Sequence, residues 1–152
     1  MPAKTVTPHW ISAILDWPWL LPISRIALTS AFVAGGIQKL LDFQAAAVEQ
    51  AHFGLRPPWL WAAAAIVVEL GGSALVIFGR LVWLGAGALG VLTAIAMLVA
   101  TNFWAKTGHE RFLAMNSFFE HLGLIAGLVL VAVLYTRRGD SPPNNSHMPR
   151  LP

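Results

Sequence analysis

Glu69 stands at the centre of Trp59–Gly79, a stretch of 21 residues that holds no other charge. A helix of that length crosses a bilayer. A carboxylate at mid-membrane costs on the order of 3 kcal/mol on insertion scales, so it faces protein or water and takes a partner. Five further polar side chains fall within or at the rims of apolar stretches: Arg25 and Lys39 in the first, and Asn116, Glu120 and His121 in the last. With Glu69 they form a candidate polar intramembrane site. Two kinds of chemistry suit such groups. Carboxyl and imidazole groups in an apolar site can exchange protons with a bound molecule, while Arg, Lys and Asn donate hydrogen bonds to its carbonyls. Alternatively, Glu69 and Glu120 only pair with Lys39, Arg25 or His121 and fix helix register. Trp59, Trp61 and Phe119 are the candidate aromatic walls of a ligand site. The first reading requires a cavity beside Glu69 that reaches the membrane or one surface. The second requires a closed pair and no cavity.

Composition narrows the choice. The 152 residues are 57% hydrophobic and 11% charged, where a soluble domain carries about 25% charged residues. The mean hydropathy is +0.65. Such a chain is a polytopic membrane protein in contact with lipid, and its seven Trp and one Tyr fit an interfacial belt. The net charge of +3 is scattered, which excludes a nucleic-acid face. There is no cysteine, which excludes a disulfide relay, an iron–sulfur cluster, a thiolate metal site and covalently attached c-type haem. A single intramembrane histidine offers no bis-His haem. His109, beside Glu110 and Arg111, has no second ligand cluster for a metal. His52 and His147 read as solvated. Broken helices and an inverted repeat, the usual signs of a transporter, are missing.

The elements that must position these residues are four spans, at about 20–41, 59–79, 81–104 and 112–135, in an all-α integral membrane four-helix bundle. Residues 1–19 form an N-terminal tail in which Trp10, Ile11, Ile14 and Leu15 fit a short interfacial helix closed by Trp17-Pro18. In the first span Ser24, Ala31 and Gly35 share a face with Gln38 and Lys39, and small residues on one face let helices pack closely in lipid. Asp42 to Gly54 reads as a short interfacial helix between the first and second spans, with Asp42 as N-cap and Gly54 as stop. Arg56-Pro57-Pro58 then breaks the chain. Ala62, Ala65 and Gly72 lie on the Glu69 face of the second span. Gly79-Arg80 leaves almost no loop, so the third span folds straight back with Ala86, Gly90 and Ala94 as its small stripe. In the fourth span Asn116, Glu120, Gly123 and Gly127 fall on one face. Arg137-Arg138 is expected to end it, and residues 137–152, rich in Pro, Asn and Ser, read as a disordered tail.

Four spans put both termini on one side. That side collects Lys4, Arg80, Arg137, Arg138 and Arg150, with Arg25 at its edge; the other collects Arg56, Lys106 and Arg111, with Lys39 at its edge. The bias predicts cytoplasmic termini in a bacterial plasma (inner) membrane.

These residues carry a resemblance to the DoxX family, and within it to the YphA-like branch. It rests on Arg25-Ile26-Ala27, on Gly35-Gly36-Ile37-Gln38-Lys39-Leu40-Leu41-Asp42-Phe43, and on Gly54-Leu55 with the prolines. Glu69, the Gly79-Arg80 turn, Phe103-Trp104 with Thr107-Gly108, and Asn116 with Phe118-Phe119 complete it. It covers roughly residues 20–136, and the order and spacing of these motifs is more specific than any one of them. In one place the chain departs from the branch: Glu120-His121 stands where Lys-Asn is common, an acidic residue for a basic one. The resemblance implies a membrane subunit of a quinone-linked oxidoreductase system. Glu69, Glu120 and His121 would then exchange protons, and Arg25, Lys39 or Asn116 would bind the carbonyls of a bound quinone. The chain holds no electron carrier of its own, so a redox partner subunit or a further cofactor is required. The alternative is a non-enzymatic assembly or partner-binding subunit, with a homo-oligomer among its arrangements.

Overall fold

The computed structural model describes residues 8–139; the expectations for residues 1–7, His147 and the tail beyond 139 lie outside the described residues. Among the described residues there are six α-helices, one 3-10 turn and no strand. They are α1 (His9–Leu15), α2 (Leu20–Leu41), α3 (Phe43–His52), α4 (Pro58–Phe78), α5 (Val82–Ala100) and α6 (Gly108–Gly139), with the 3-10 turn at Phe103–Ala105. Four of them, α2, α4, α5 and α6, are long and apolar enough to cross a membrane. The molecule is an all-α bundle and a multi-pass membrane protein.

Local chemistry sets the boundaries. Asp42 caps α3, its Oδ1 accepting a hydrogen bond from the Ala45 N–H at 2.9 Å. Gly54 follows α3 at φ +77°, and Pro58 opens α4, where its missing N–H costs no helix bond. At the end of α4, Gly79 is left-handed at φ +69°. Its N–H bonds the Val76 carbonyl at 3.3 Å while the Arg80 N–H bonds that of Leu75 at 3.1 Å, the pairing of a Schellman stop. The chain therefore reverses into α5 within three residues.

The ends of the last two spans also follow from local chemistry. The third span is α-helical over Val82–Ala100 and runs on through the 3-10 turn to Ala105. The Thr101 hydroxyl turns back to the Met97 carbonyl, and the next residues tighten into the 3-10 turn. The fourth helix begins at Gly108 and runs through Arg137-Arg138 to Gly139. Arginine is a good helix former, so the helix continues through Arg137-Arg138 instead of ending there.

In packing, α2 lies against α4, α4 against α5, and α5 against α6, with α3 laid on α4; α6 and α2 touch only narrowly. Phe32, Val76, Val82, Ala86, Leu89 and Leu128 form one core drawn from all four spans. The chain enters at the end of α2 that holds Arg25 and leaves at the end of α6 that holds Tyr135. The other end of the bundle holds Lys39, α3 and the 3-10 turn.

Candidate functional site

Lys39 and Glu69 form a two-pronged ion pair, with Nζ 2.8 Å from Oε1 and 3.1 Å from Oε2. It is the single ion pair among the described residues. Helical side chains lean toward the N-terminus, so Lys39 reaches back over Gly35, one turn earlier and deeper in the membrane. A Cβ at Gly35 would lie 3.5 Å from Lys39 Nζ and 3.6 Å from Glu69 Oε2, so the pair fills the space that this residue leaves. A Cβ at Gly36 would lie 2.8 Å from Leu70 Cδ2 and 3.2 Å from Glu69 Cβ. The Gly35-Gly36 step thus lets α4 lay its carboxylate on α2. Glu69 is only 8% exposed, and it lies about 16 Å along α4 from Pro58, near the middle of a hydrocarbon core about 30 Å thick.

Two cavities meet at Lys39, the cationic member of the pair. The larger, about 740 Å³, is a groove along α4 and α5 that runs from Trp83 and Leu84 past Val91 to Thr101. Trp83 is 61% and Val91 62% exposed, so the groove opens sideways, where lipid would be. Its polar end is lined by Lys39, Glu49, Gln50, Glu69, Ser117 and His121. The smaller cavity, about 320 Å³, lies at the α2–α3 corner between Gly35, Gln38, Lys39, Asp42, Ala45, Ala46 and Glu49. Gln38, Asp42 and Glu49 are exposed there. Lys39 and Glu49 border both cavities. Pairing and a cavity, set against each other as alternatives on sequence grounds, occur together.

His121 comes with a defined hydrogen bond. Its Nδ1 lies 2.6 Å from the Ser117 carbonyl oxygen. A carbonyl only accepts, so Nδ1–H donates, and in the neutral ring Nε2 is left as an acceptor. The polar end of the groove therefore offers an ammonium, a carboxylate and an imidazole; its length offers an apolar bed. That arrangement suits an amphiphile with a hydrogen-bonding head and a hydrocarbon tail.

Of the residues singled out in the sequence, the structure brings together Lys39, Glu69, His121 and Trp61. Asn116 and Glu120 are exposed on the outer side of α6. Successive residues on a helix point about 100° apart, so His121 facing the groove turns Glu120 away from it. Trp59 and Phe119 are exposed outside the groove. Arg25 lies at the opposite end of the bundle, stacked over Tyr135. Ser117, Glu49 and Trp83 line the groove and were not singled out. The four-residue spacing of Ser117 and His121 is the signal that could have found the first of them.

Comparison with known proteins agrees with this architecture. The DoxX family model matches residues 20–102. The chain is 26% identical over 116 residues to "Inner membrane protein YphA" of Escherichia coli (strain K12), covering 76% of this chain and 83% of that protein. No solved structure matches.

Proposed function

The chain belongs to the DoxX family, and from that premise we propose that it is the membrane subunit of a quinone-linked oxidoreductase system. The quinone lies in the α4–α5 groove with its head at Lys39, Glu69 and His121. The observation that carries this reading is the place of the ion pair, at the junction of an apolar groove open to lipid and a polar pocket at the α2–α3 corner. A quinone takes up two electrons and two protons on reduction, and the electrons come from a partner subunit or a further cofactor. This chain's own residues bind, orient and exchange protons. Lys39 Nζ donates to a head carbonyl; Glu69 holds Lys39 in place; His121 Nε2 and Glu69 hold or release protons. Glu49, shared by both cavities, connects them to the aqueous side. The charges at the Arg25 end support cytoplasmic termini in a bacterial inner membrane.

Glu69→Gln keeps an oxygen that accepts from Lys39 and removes the charge. It is expected to leave the bundle folded and to weaken binding of a short-chain quinone by about tenfold or more, the scale of one charge-assisted hydrogen bond. Titration of ubiquinone-1 into the purified chain in lipid nanodiscs measures it. Unchanged binding in the folded variant would sink the proposal. A second reading, a non-enzymatic assembly or partner-binding subunit, draws support from the ion pair itself, which alone would lock α2 to α4. It also draws on α6, which is far less buried in the bundle than α4.

A further inference from the structure

The molecule has a second polar feature, at the end of the bundle away from the Lys39–Glu69 pair and independent of the quinone reading. Arg25 is 9% exposed, and it carries a guanidinium, a cation with five donors and no acceptor. Among the described residues no carboxylate comes within ion-pair distance of it, and its buried Nε has no acceptor. Two elements, α6 and the turn between α4 and α5, nevertheless hold it in one place. The guanidinium carbon lies 5.1 Å from the centre of the Tyr135 ring. A Cβ at Gly79 would lie 2.9 Å from Arg25 Nη1, so the turn between α4 and α5 is closed over the guanidinium. The Tyr135 hydroxyl donates to the Gly79 carbonyl, which ties α6 to that turn. A ring face balances a cation only in part. A fixed, nearly buried guanidinium without a counter-charge is a seat for an anion.

Its position identifies the anion. The Gly79 turn is where two spans meet, so the seat lies at the level of the lipid headgroups. Arg80, in the turn, and Arg137, just past Tyr135, are exposed and add positive charge at the same end. Phe78, Leu81 and Leu134, beside the seat in the chain, are exposed and apolar, as surfaces along acyl chains are. Guanidinium matches phosphate oxygens with a two-pronged geometry. We propose that the Arg25–Gly79–Tyr135 seat binds the phosphate of an anionic phospholipid, one lipid per chain, as the missing counter-charge.

The test uses the full chain, stripped of lipid in mild detergent and titrated with phosphatidylglycerol or phosphatidylcholine under native mass spectrometry. The wild type is expected to retain one phosphatidylglycerol with about fivefold preference over phosphatidylcholine, the scale of one basic residue at a charged membrane surface. Arg25→Gln is expected to lose that preference, and Arg25→Lys, which keeps the charge but not the fork, to retain part of it. Arg80→Gln with Arg137→Gln is expected to leave the single bound lipid in place. The absence of any preference in the wild type, which needs no variant to fold, overturns the proposal. So does a preference that survives Arg25→Gln, or one abolished by the two surface substitutions alone. If inorganic phosphate at millimolar concentration displaces the lipid completely, the seat is a free-anion site and the lipid assignment fails.

Discussion

Lys39→Met is expected to cost the bundle about 3 kcal/mol, because it strands the Glu69 carboxylate in the middle of the apolar bundle. Removing one member of a buried pair costs about 3–5 kcal/mol. The lower end applies here, since the two side chains keep 21% and 11% of their exposure. The double variant Lys39→Met/Glu69→Leu removes the stranded charge together with its partner, and it is expected to recover most of that loss. Unfolding of the four forms in mixed detergent micelles gives the coupling between the two positions. The same double variant separates the two readings of the site. If the pair served packing alone, a restored bundle would bind quinone as the wild type does. The proposed function instead requires the restored bundle to have lost quinone binding.

Gly85→Val is expected to be the most disruptive single substitution between α4 and α5. A Cβ at Gly85 would lie 2.6 Å from the Gly72 carbonyl oxygen and 2.9 Å from Leu75 Cβ. From the other side, a Cβ at Gly72 would lie 3.2 Å from the Gly85 carbonyl oxygen and 2.9 Å from Leu89 Cγ. The two backbones touch at this pair, and a backbone has no rotamer with which to move aside. The helices must separate, and contacts of Val76 and Leu89 in the core go with them. Overpacking of this kind costs about 1–3 kcal/mol, and the branched side chain belongs at the upper end. Gly90→Ala on the same helix is the control. Nothing lies within 4 Å of a Cβ there, so the change is expected to be neutral or to stabilise by up to about 1 kcal/mol through helix propensity. Equal melting temperatures for the two variants would contradict this view of the interface.

The glycine pair also shows where sequence reasoning ends. The stripe read from spacing in the third span was Ala86, Gly90 and Ala94. The contact falls instead on Gly85 and Ala86, and Gly90 faces open space. Periodicity gives the faces of a helix; it does not give the helix's rotation against its neighbours, which all four spans must settle together. Glu120 and His121 illustrate the same limit, since both sit in the polar turn of α6 and only His121 reaches the groove. By contrast, features decided by local chemistry were legible: the Asp42 cap, the Gly54 stop, the Gly79-Arg80 reversal and the existence of four spans. That Glu69 needs a partner followed from its position in an apolar run, and Lys39 was one of three candidates. Arg25 could have been excluded from that site by arithmetic alone. It precedes Lys39 by fourteen residues on one helix, a separation of about 21 Å. The groove had no such signal, because its walls are ordinary apolar residues that become a cavity only once helices distant in sequence pack together.

The central claim is that the α4–α5 groove holds a quinone with its head at the Lys39–Glu69 pair. Photolabelling of the membrane-embedded chain with an azidoquinone, followed by peptide mapping, tests it most directly. The label is expected within residues 61–69 and 83–101, and an excess of unmodified quinone is expected to suppress it. Label on the outer face of α6, or label that excess quinone does not reduce, would contradict the claim.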